Sequence, residues 1–271
     1  MPHAHLAPTT AVHYEVLAPG PAGDTAAPDL VLVHGTGGSA ATHWAHLADG
    51  LAGIGAGRRV LAVNYSGSGE TVDDGGPLTL DGLVAQVRGA VADAGDRPFD
   101  LVGFSLGAVV AAGLAARDAA GLRRLVLLSG WVRPDSRTAL QFGLWRRLHE
   151  GDRRALAQLL ALTGFSAAYL AARPARALER AVEHTLATLA PGFVRQCALD
   201  EVVDVSADLM RIARPTLVLG ATEDAMVPVA QARALAAGIP EAQYGELRSG
   251  HLSIFEAPDE LLTTIGAFLE A

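Results

Sequence analysis

Gly103-Phe104-Ser105-Leu106-Gly107 places one serine between two glycines, directly after the apolar run Phe99-Asp100-Leu101-Val102 and directly before Ala108 to Ala116. The first run reads as a buried strand. The second, apolar and small in its side chains, reads as a helix packed closely on a sheet. A G-x-S-x-G serine between strand and helix is the pattern of a nucleophile elbow. Such a turn strains the serine backbone, and only glycine-sized neighbours let strand and helix approach. The hydroxyl then stands alone at the end of the sheet, above a helix N-terminus.

A nucleophilic serine needs a base, and the base needs an acid to orient it. Pro215 to Gly220 is a second buried strand, followed by Ala221-Thr222-Glu223-Asp224-Ala225-Met226-Val227-Pro228. Ala242 to Leu247 is a short strand-like run that leads into Arg248-Ser249-Gly250-His251-Leu252. Asp224 and His251 therefore each sit on a loop just past a strand. Taken singly, such an Asp is a turn residue and such a His a surface or core residue. Their coincidence with the elbow, in the order Ser105, Asp224, His251, selects a catalytic triad.

The fourth component follows the strand Asp29-Leu30-Val31-Leu32-Val33, in His34-Gly35-Thr36-Gly37-Gly38-Ser39. A tetrahedral intermediate carries its charge on oxygen, which preorganised N–H donors must meet. The expected donors are the Leu106 amide and one from this loop, Thr36 first and Gly37 second, with His34 bracing the loop. Gly35 to Ala40 also satisfies the G-x-G-x-x-A form of a dinucleotide fingerprint. That reading wants an acid at the end of the next strand, where Val63-Asn64-Tyr65 offers none, and it leaves the elbow, Asp224 and His251 unexplained.

With these pieces in place the chain resembles the α/β-hydrolase superfamily over essentially its full length. His34-Gly35 matches the oxyanion-loop signature, and Asp224-x-x-Val227-Pro228 and Gly250-His251 match the acid and histidine motifs. Asn64-Tyr65-Ser66-Gly67-Ser68-Gly69-Glu70-Thr71 falls where relatives carry an Asp-x-Arg-Gly-x-Gly-x-Ser pattern, so Asn64 and Ser66 replace an acid and an arginine. Ser105 in place of Asp argues against the aspartate-nucleophile branches, the haloalkane dehalogenases and epoxide hydrolases. The resemblance implies cleavage of a small to medium, largely apolar ester, thioester or lactone through an acyl-enzyme on Ser105. Phe104, Leu106, Trp131 and Met226 would bound the substrate, though Trp131 serves equally well as core packing. C–C bond hydrolysis, cofactor-free lyase or cyclase chemistry with the same triad, and a small-molecule receptor on this fold stay open.

Composition narrows the field further. Half of the 271 residues are hydrophobic, enough for a substantial core. All 21 basic residues are arginine, so no lysine is present for a phosphate loop or a Schiff base. A net charge of −8 disfavours nonspecific nucleic-acid binding. The longest apolar stretch, Leu101 to Ala116, is short for a membrane span and is accounted for by strand, elbow and helix. Met1 to Thr10 does not read as a secretion signal. The single cysteine, Cys197, excludes an intrachain disulfide, and a cytoplasmic location is the default. His43 and His46 lie three apart without further ligands at a recognisable spacing, which makes them surface or packing residues rather than a metal site. No cofactor and no metal is expected.

Apolar strands alternating with helical patterns argue for an α/β fold with a mostly parallel sheet flanked by helices. Val12 to Leu17 reads as an edge strand, followed by a Pro/Gly-rich turn through Pro28. Core strands are expected at 29–34, 59–65, 99–103, 124–129, 215–221 and 242–247. Residues 132–208 are too long for a connection and show helical faces, one through Leu140, Leu144, Trp145 and Leu148 and one through Leu178, Ala181, Val182, Thr185, Leu186 and Leu189. By the resemblance this is a helical cap inserted after the sixth core strand, over a core of residues 1–131 and 209–271. The cap holds ten arginines against nine acids, the rest eleven against twenty. Arg133, Arg137, Arg146 and Arg147 could draw in an anionic or carrier-borne substrate, although solvated helix faces explain them more simply.

Overall fold

The computed structural model describes residues 2–7, 9–20, 27–55 and 57–271. The core of the Pro/Gly-rich turn, residues 21–26, lies outside the described residues. Among these residues eight strands build one sheet: β1 (His3–Ala7), β2 (Thr10–Pro19), β3 (Asp29–Val33), β4 (Arg59–Val63), β5 (Phe99–Phe104), β6 (Leu122–Leu128), β7 (Thr216–Ala221) and β8 (Gln243–Leu247). Their spatial order is β1-β2-β4-β3-β5-β6-β7-β8. β2 pairs antiparallel with β1 and with β4, and every other pairing is parallel. The expectation of an edge strand at Val12–Leu17 is corrected. β1 lies outside β2, and its sequence, His3-Ala4-His5-Leu6-Ala7, lacks the β-branched residues that announce a strand.

Helices cover both faces: α1 (Ala40–His43), α2 (Ala48–Ala52), α3 (Leu80–Asp93), α4 (Leu106–Arg117), α5 (Ser136–Gly151), α6 (Arg153–Gly164), α7 (Ala167–Ala171), α8 (Ala175–Thr188), α9 (Phe193–Asp200), α10 (Val229–Gly238), α11 (Ser253–Glu256) and α12 (Pro258–Glu270). Every residue of β3, β5 and β7 is buried, as strands covered on both sides require. Side chains alternate between the two faces. Val31, Val33, Leu101, Leu125 and Leu127 pack with α3 and α4, whereas Leu30, Leu32, Val102, Val126 and Leu219 pack with Trp44, Leu51, Leu261 and Ile265.

Helices α5 to α9 run between the sixth and seventh strands. The two ends of this segment meet where the Val205 N–H donates to the Val132 carbonyl at 2.9 Å. On α5 the predicted face holds at Trp145, which is buried, and at Leu148, which packs on the core, but the fully buried residues also include Thr138 and Phe142, and Leu140 is 68 % exposed. Asp135 sets that register by capping the Thr138 amide at 2.8 Å. The order in which strands are added reverses between β3 and β5, from which the sheet grows outward on opposite sides. In such sheets ligands bind in the crevice beyond the carboxyl ends at that switch point. Among the described residues, no helix is long and apolar enough to cross a membrane.

Candidate active site

Ser105 joins β5 to α4 with φ +57° and ψ −121°, a conformation an L-residue rarely adopts. Its N–H donates to the Leu128 carbonyl at 2.9 Å and its carbonyl accepts from the Ala108 N–H at 2.9 Å, so both neighbouring elements hold the turn. A Cβ on Gly103 would lie 2.2 Å from the Gly107 carbonyl oxygen, and one on Gly107 would lie 2.2 Å from that of Val33. Both glycines of the motif are thus required by close approach of backbones.

His251 Nδ1 lies 2.7 Å from Asp224 Oδ2, and His251 Nε2 lies 2.9 Å from Ser105 Oγ. An ionised carboxylate only accepts, so the proton sits on Nδ1 and the Nε2 lone pair faces the serine hydroxyl. Asp224 is held by its other oxygen, which accepts the Met226 and Val227 amides at 2.8 and 2.7 Å. The histidine loop is held by Glu256, whose Oε2 accepts from the Gly250 N–H at 3.1 Å and from the Ser166 N–H at 2.9 Å. Such a line of hydroxyl, imidazole and carboxylate can deliver an alkoxide-like oxygen to a carbonyl carbon.

The backbone N–H groups of Thr36 and Leu106 have no acceptor among the described residues. Gly37, expected as the second loop donor, is corrected: its N–H donates to Gln196 Oε1 at 2.8 Å and is already used. The Thr36 hydroxyl donates to Asp200 Oδ2 at 2.6 Å. Gln196 and Asp200 are one helical turn apart on α9, so this helix grips the loop twice. Gln196 also donates to Ser68 Oγ at 2.8 Å. The loop after β4, where Asn64 and Ser66 depart from the family pattern, is held by substitutes. Asn64 Oδ1 accepts the Ala40 amide at 2.7 Å, and Gln86 receives the Ser66 N–H and donates to its hydroxyl at 2.8 and 2.7 Å. His34 is fully buried, stacks on Tyr65 at 4.1 Å and donates from Nδ1 to the Gly35 carbonyl at 2.8 Å. Desolvation pushes its pKa down to about 4, so it braces as a neutral ring.

Above Ser105 lies a cavity of about 140 Å³ with mostly apolar walls. Phe104 and Met226 line it as expected. Trp131 does not: it is 1 % exposed and packs on Phe142 at 5.5 Å between ring centres, and Leu106 is likewise buried in the core. The indole in the wall is Trp145 of α5, one ring further along that aromatic stack. Leu160, Phe165 and Leu189 of the segment between β6 and β7 complete this side. Sequence reasoning also missed His43, which lines the cavity, while His46 bonds the Ile254 carbonyl at 2.8 Å. Neither of the arginines Arg137 and Arg146 faces the cavity. Arg137 caps the Ala225 and Met226 carbonyls, and Arg146 pairs with Glu201 at 3.0 Å. Burial pushes the Cys197 thiol far up, leaving it unreactive.

An open, mostly parallel sheet that presents a strained serine at the end of β5 and a histidine–acid pair past β8 and β7 defines an α/β-hydrolase. Residues 30–264 match the alpha/beta hydrolase family, and the chain belongs to it; it is a hydrolase. It is 41 % identical over 248 residues to pyrrolizixenacetamide deacetylase of Xenorhabdus hominickii, covering 91 % of this chain and 92 % of that one. Among solved structures, the enol-lactonase of Burkholderia xenovorans LB400 superposes with a TM-score of 0.82 at 26 % identity, covering 100 % of both chains. MGS-M2, an alpha/beta hydrolase from a Medee basin deep-sea metagenome library, reaches a TM-score of 0.87 at 18 % identity over 97 % of this chain and 95 % of that one, a likeness of fold.

Proposed function

We propose that the protein is a serine acyl hydrolase that removes a small acyl group from a small to medium, largely apolar ester, thioester or lactone. Its likeness to the deacetylase extends this reading to an acetamide. Ser105 Oγ attacks the carbonyl carbon while His251 Nε2 takes the hydroxyl proton. Asp224 holds the imidazole tautomer, and the Thr36 and Leu106 amides meet the charge that develops on oxygen. Collapse of the intermediate expels the alcohol, thiol or amine with the proton from His251. Water then repeats the sequence on the acyl-enzyme and releases the acid.

The observation that carries this reading is the 2.9 Å contact between Ser105 and His251, next to two amides with no other acceptor. The cavity supports a small acyl group, since about 140 Å³ is close to the ~150 Å³ that takes one benzene-sized molecule. In this reading residues 132–208 act as a cap that excludes water, over a core of residues 1–131 and 209–271. The test is intact mass after incubation with a fluorophosphonate, for wild type, Ser105→Ala and His251→Ala. One adduct on wild type is expected, absent from Ser105→Ala and strongly slowed in His251→Ala. No adduct on folded wild type overturns the proposal. Release of acetate from p-nitrophenyl acetate and from acetanilide then separates ester from amide cleavage.

A further inference from the structure

His43, at the end of α1, is a second histidine in the catalytic cavity, and the triad does not use it. Its Nδ1 lies 3.2 Å from the Gly35 backbone nitrogen. An amide N–H can only donate, so Nδ1 must be the unprotonated nitrogen and Nε2 must carry the hydrogen. The ring's hydrogen bond among the described residues is that one, through Nδ1, which leaves Nε2 without a protein partner at the accessible side of the cavity wall. The ring is held in place: a Cβ on Gly38 would lie 2.3 to 2.5 Å from three of its atoms, and Phe104 meets it edge-on at 5.4 Å. Desolvation, with His34, His251 and His46 adding to it, pushes its pKa down to about 3, so this ring remains a neutral donor across the physiological range.

Apart from Trp145, whose buried Nε1–H also has no acceptor, the other polar side chains around the cavity do not compete for this role. Thr185 and Thr188 donate their hydroxyl hydrogens within α8, to the Ala181 and His184 carbonyls at 3.0 and 2.8 Å. Thr42 is engaged in the capping box with Ser39. His184 is an exposed residue at the cavity mouth. Beside His43 the walls are Phe104, Phe255 and Leu252. An unpartnered N–H among apolar side chains is wasted on a plain hydrocarbon and rewards an acceptor.

We propose that His43 determines substrate specificity, donating from Nε2–H to a second carbonyl-type oxygen that the substrate carries close to the scissile one. This rests on the acyl-hydrolase reading above and names the substrate class more narrowly: a dicarbonyl compound or a lactam-bearing ester or amide rather than a simple aliphatic one.

Two matched ester pairs test it, one for each side of the scissile bond. On the leaving-group side are the acetates of 3-hydroxypiperidin-2-one and of cyclohexanol. On the acyl side are cyclohexyl acetoacetate and cyclohexyl butanoate. Each kcat/KM is divided by the ester's hydroxide-catalysed rate, which removes the intrinsic activation by the extra carbonyl. Wild type is expected to prefer the carbonyl-bearing member of one pair by about 10- to 100-fold, the size of one satisfied buried hydrogen bond. His43→Phe, which keeps a flat ring on Gly38, is expected to abolish the preference. His43→Gln, whose amide N–H reaches the same place, is expected to restore part of it. Losing the Gly35 acceptor affects both members of a pair alike, so the ratio isolates the donor. No preference in wild type for either pair, or a preference that survives His43→Phe, overturns the inference. Turnover of none of the four esters by protein that the fluorophosphonate still labels overturns this inference alone. Failure of labelling as well overturns the acyl-hydrolase reading, and this inference falls with it.

Discussion

Asp200 offers a quantitative check on how the oxyanion loop is built. Its carboxyl group is fully buried on α9; Oδ2 accepts the Thr36 hydroxyl at 2.6 Å, and Oδ1 has no partner. Burial pushes its pKa well above the usual carboxylate range, against the opposing pull of the Thr36 hydrogen bond. The folded protein therefore keeps a proton that the unfolded chain releases near pH ~3.9. Because the folded-state pKa is raised, the associated stability is fully present below that pH. It is lost as pH climbs toward the folded value, with a slope of about 1.4 kcal/mol per pH unit. Asp200→Asn removes the titration while keeping the contacts: its Oδ1 accepts from Thr36, and its amide nitrogen replaces an oxygen that had no partner. Above pH ~4 the variant should gain on wild type by about 1.4 kcal/mol per pH unit, or about 3–6 °C in Tm per unit, until the pH reaches the folded-state value of Asp200, beyond which the gain levels off. Thermal unfolding of both proteins from pH 4.5 to 8 reads this directly, and acyl hydrolysis should stay within about threefold at neutral pH. Parallel stability curves across that range would refute the reasoning, because they would mean that Asp200 is ionised in its buried site.

In Asp224→Asn the amide oxygen stays on the Met226 and Val227 N–H groups, which turns its NH2 toward His251 Nδ1 and forces the wrong imidazole tautomer; kcat should fall by about 10⁴-fold with little change in Tm, and a loss below tenfold in steady-state kinetics would sink the triad assignment. Gly107→Ala puts a methyl 2.2 Å from the Val33 carbonyl oxygen and 2.6 Å from that of His34, both backbone atoms that cannot swing away. A destabilisation of about 3 kcal/mol is expected in urea unfolding, with slowed fluorophosphonate labelling; wild-type stability would show that the elbow is less tightly packed than described. The two tryptophans should separate cleanly. Trp131→Ala removes a core ring and should cost about 3–5 kcal/mol, whereas Trp145→Ala opens the cavity wall and should shift acyl-chain preference toward longer esters. Equal effects of both variants on chain-length selectivity would return Trp131 to the site.

What was legible in the chain was what is local. The elbow needs five consecutive residues, and the acid and histidine motifs each announce themselves within a loop that follows a strand. The sheet could be read because strands buried on both faces leave continuous apolar runs. The missing strand, β1, has no such run, and two histidines and two alanines in five residues carry no strand signal. The faces of the central helices were harder. On α5 the predicted stripe was right at Trp145 and Leu148, yet the ring stack of Phe142 and Trp145 brought Phe142 inward and left Leu140 in solvent. Propensity and periodicity could not choose between Phe142 and Leu140, because tertiary packing decides which apolar residues are covered.

The bracing of the oxyanion loop was invisible for a further reason. Gly37 meets Gln196 across 159 residues and Thr36 meets Asp200 across 164, and a glutamine and an aspartate on a helix carry no spacing signature. Those contacts have a mechanistic consequence. The departures at Asn64 and Ser66 would leave the loops after β3 and β4 poorly tied if the sheet alone held them. Instead α9 holds the loop after β3 through Gly37 and Thr36, and the loop after β4 through Ser68 and the Gly192 to Gly67 backbone bond at 2.8 Å. The loop that bears the proposed Thr36 donor is thus braced by the same continuous segment that supplies much of the cavity wall. A change in that segment that reshapes the cavity also moves the Thr36 amide. Transition-state stabilisation requires donors within ~3 Å of the developing charge, so such a change should appear in kcat as well as KM.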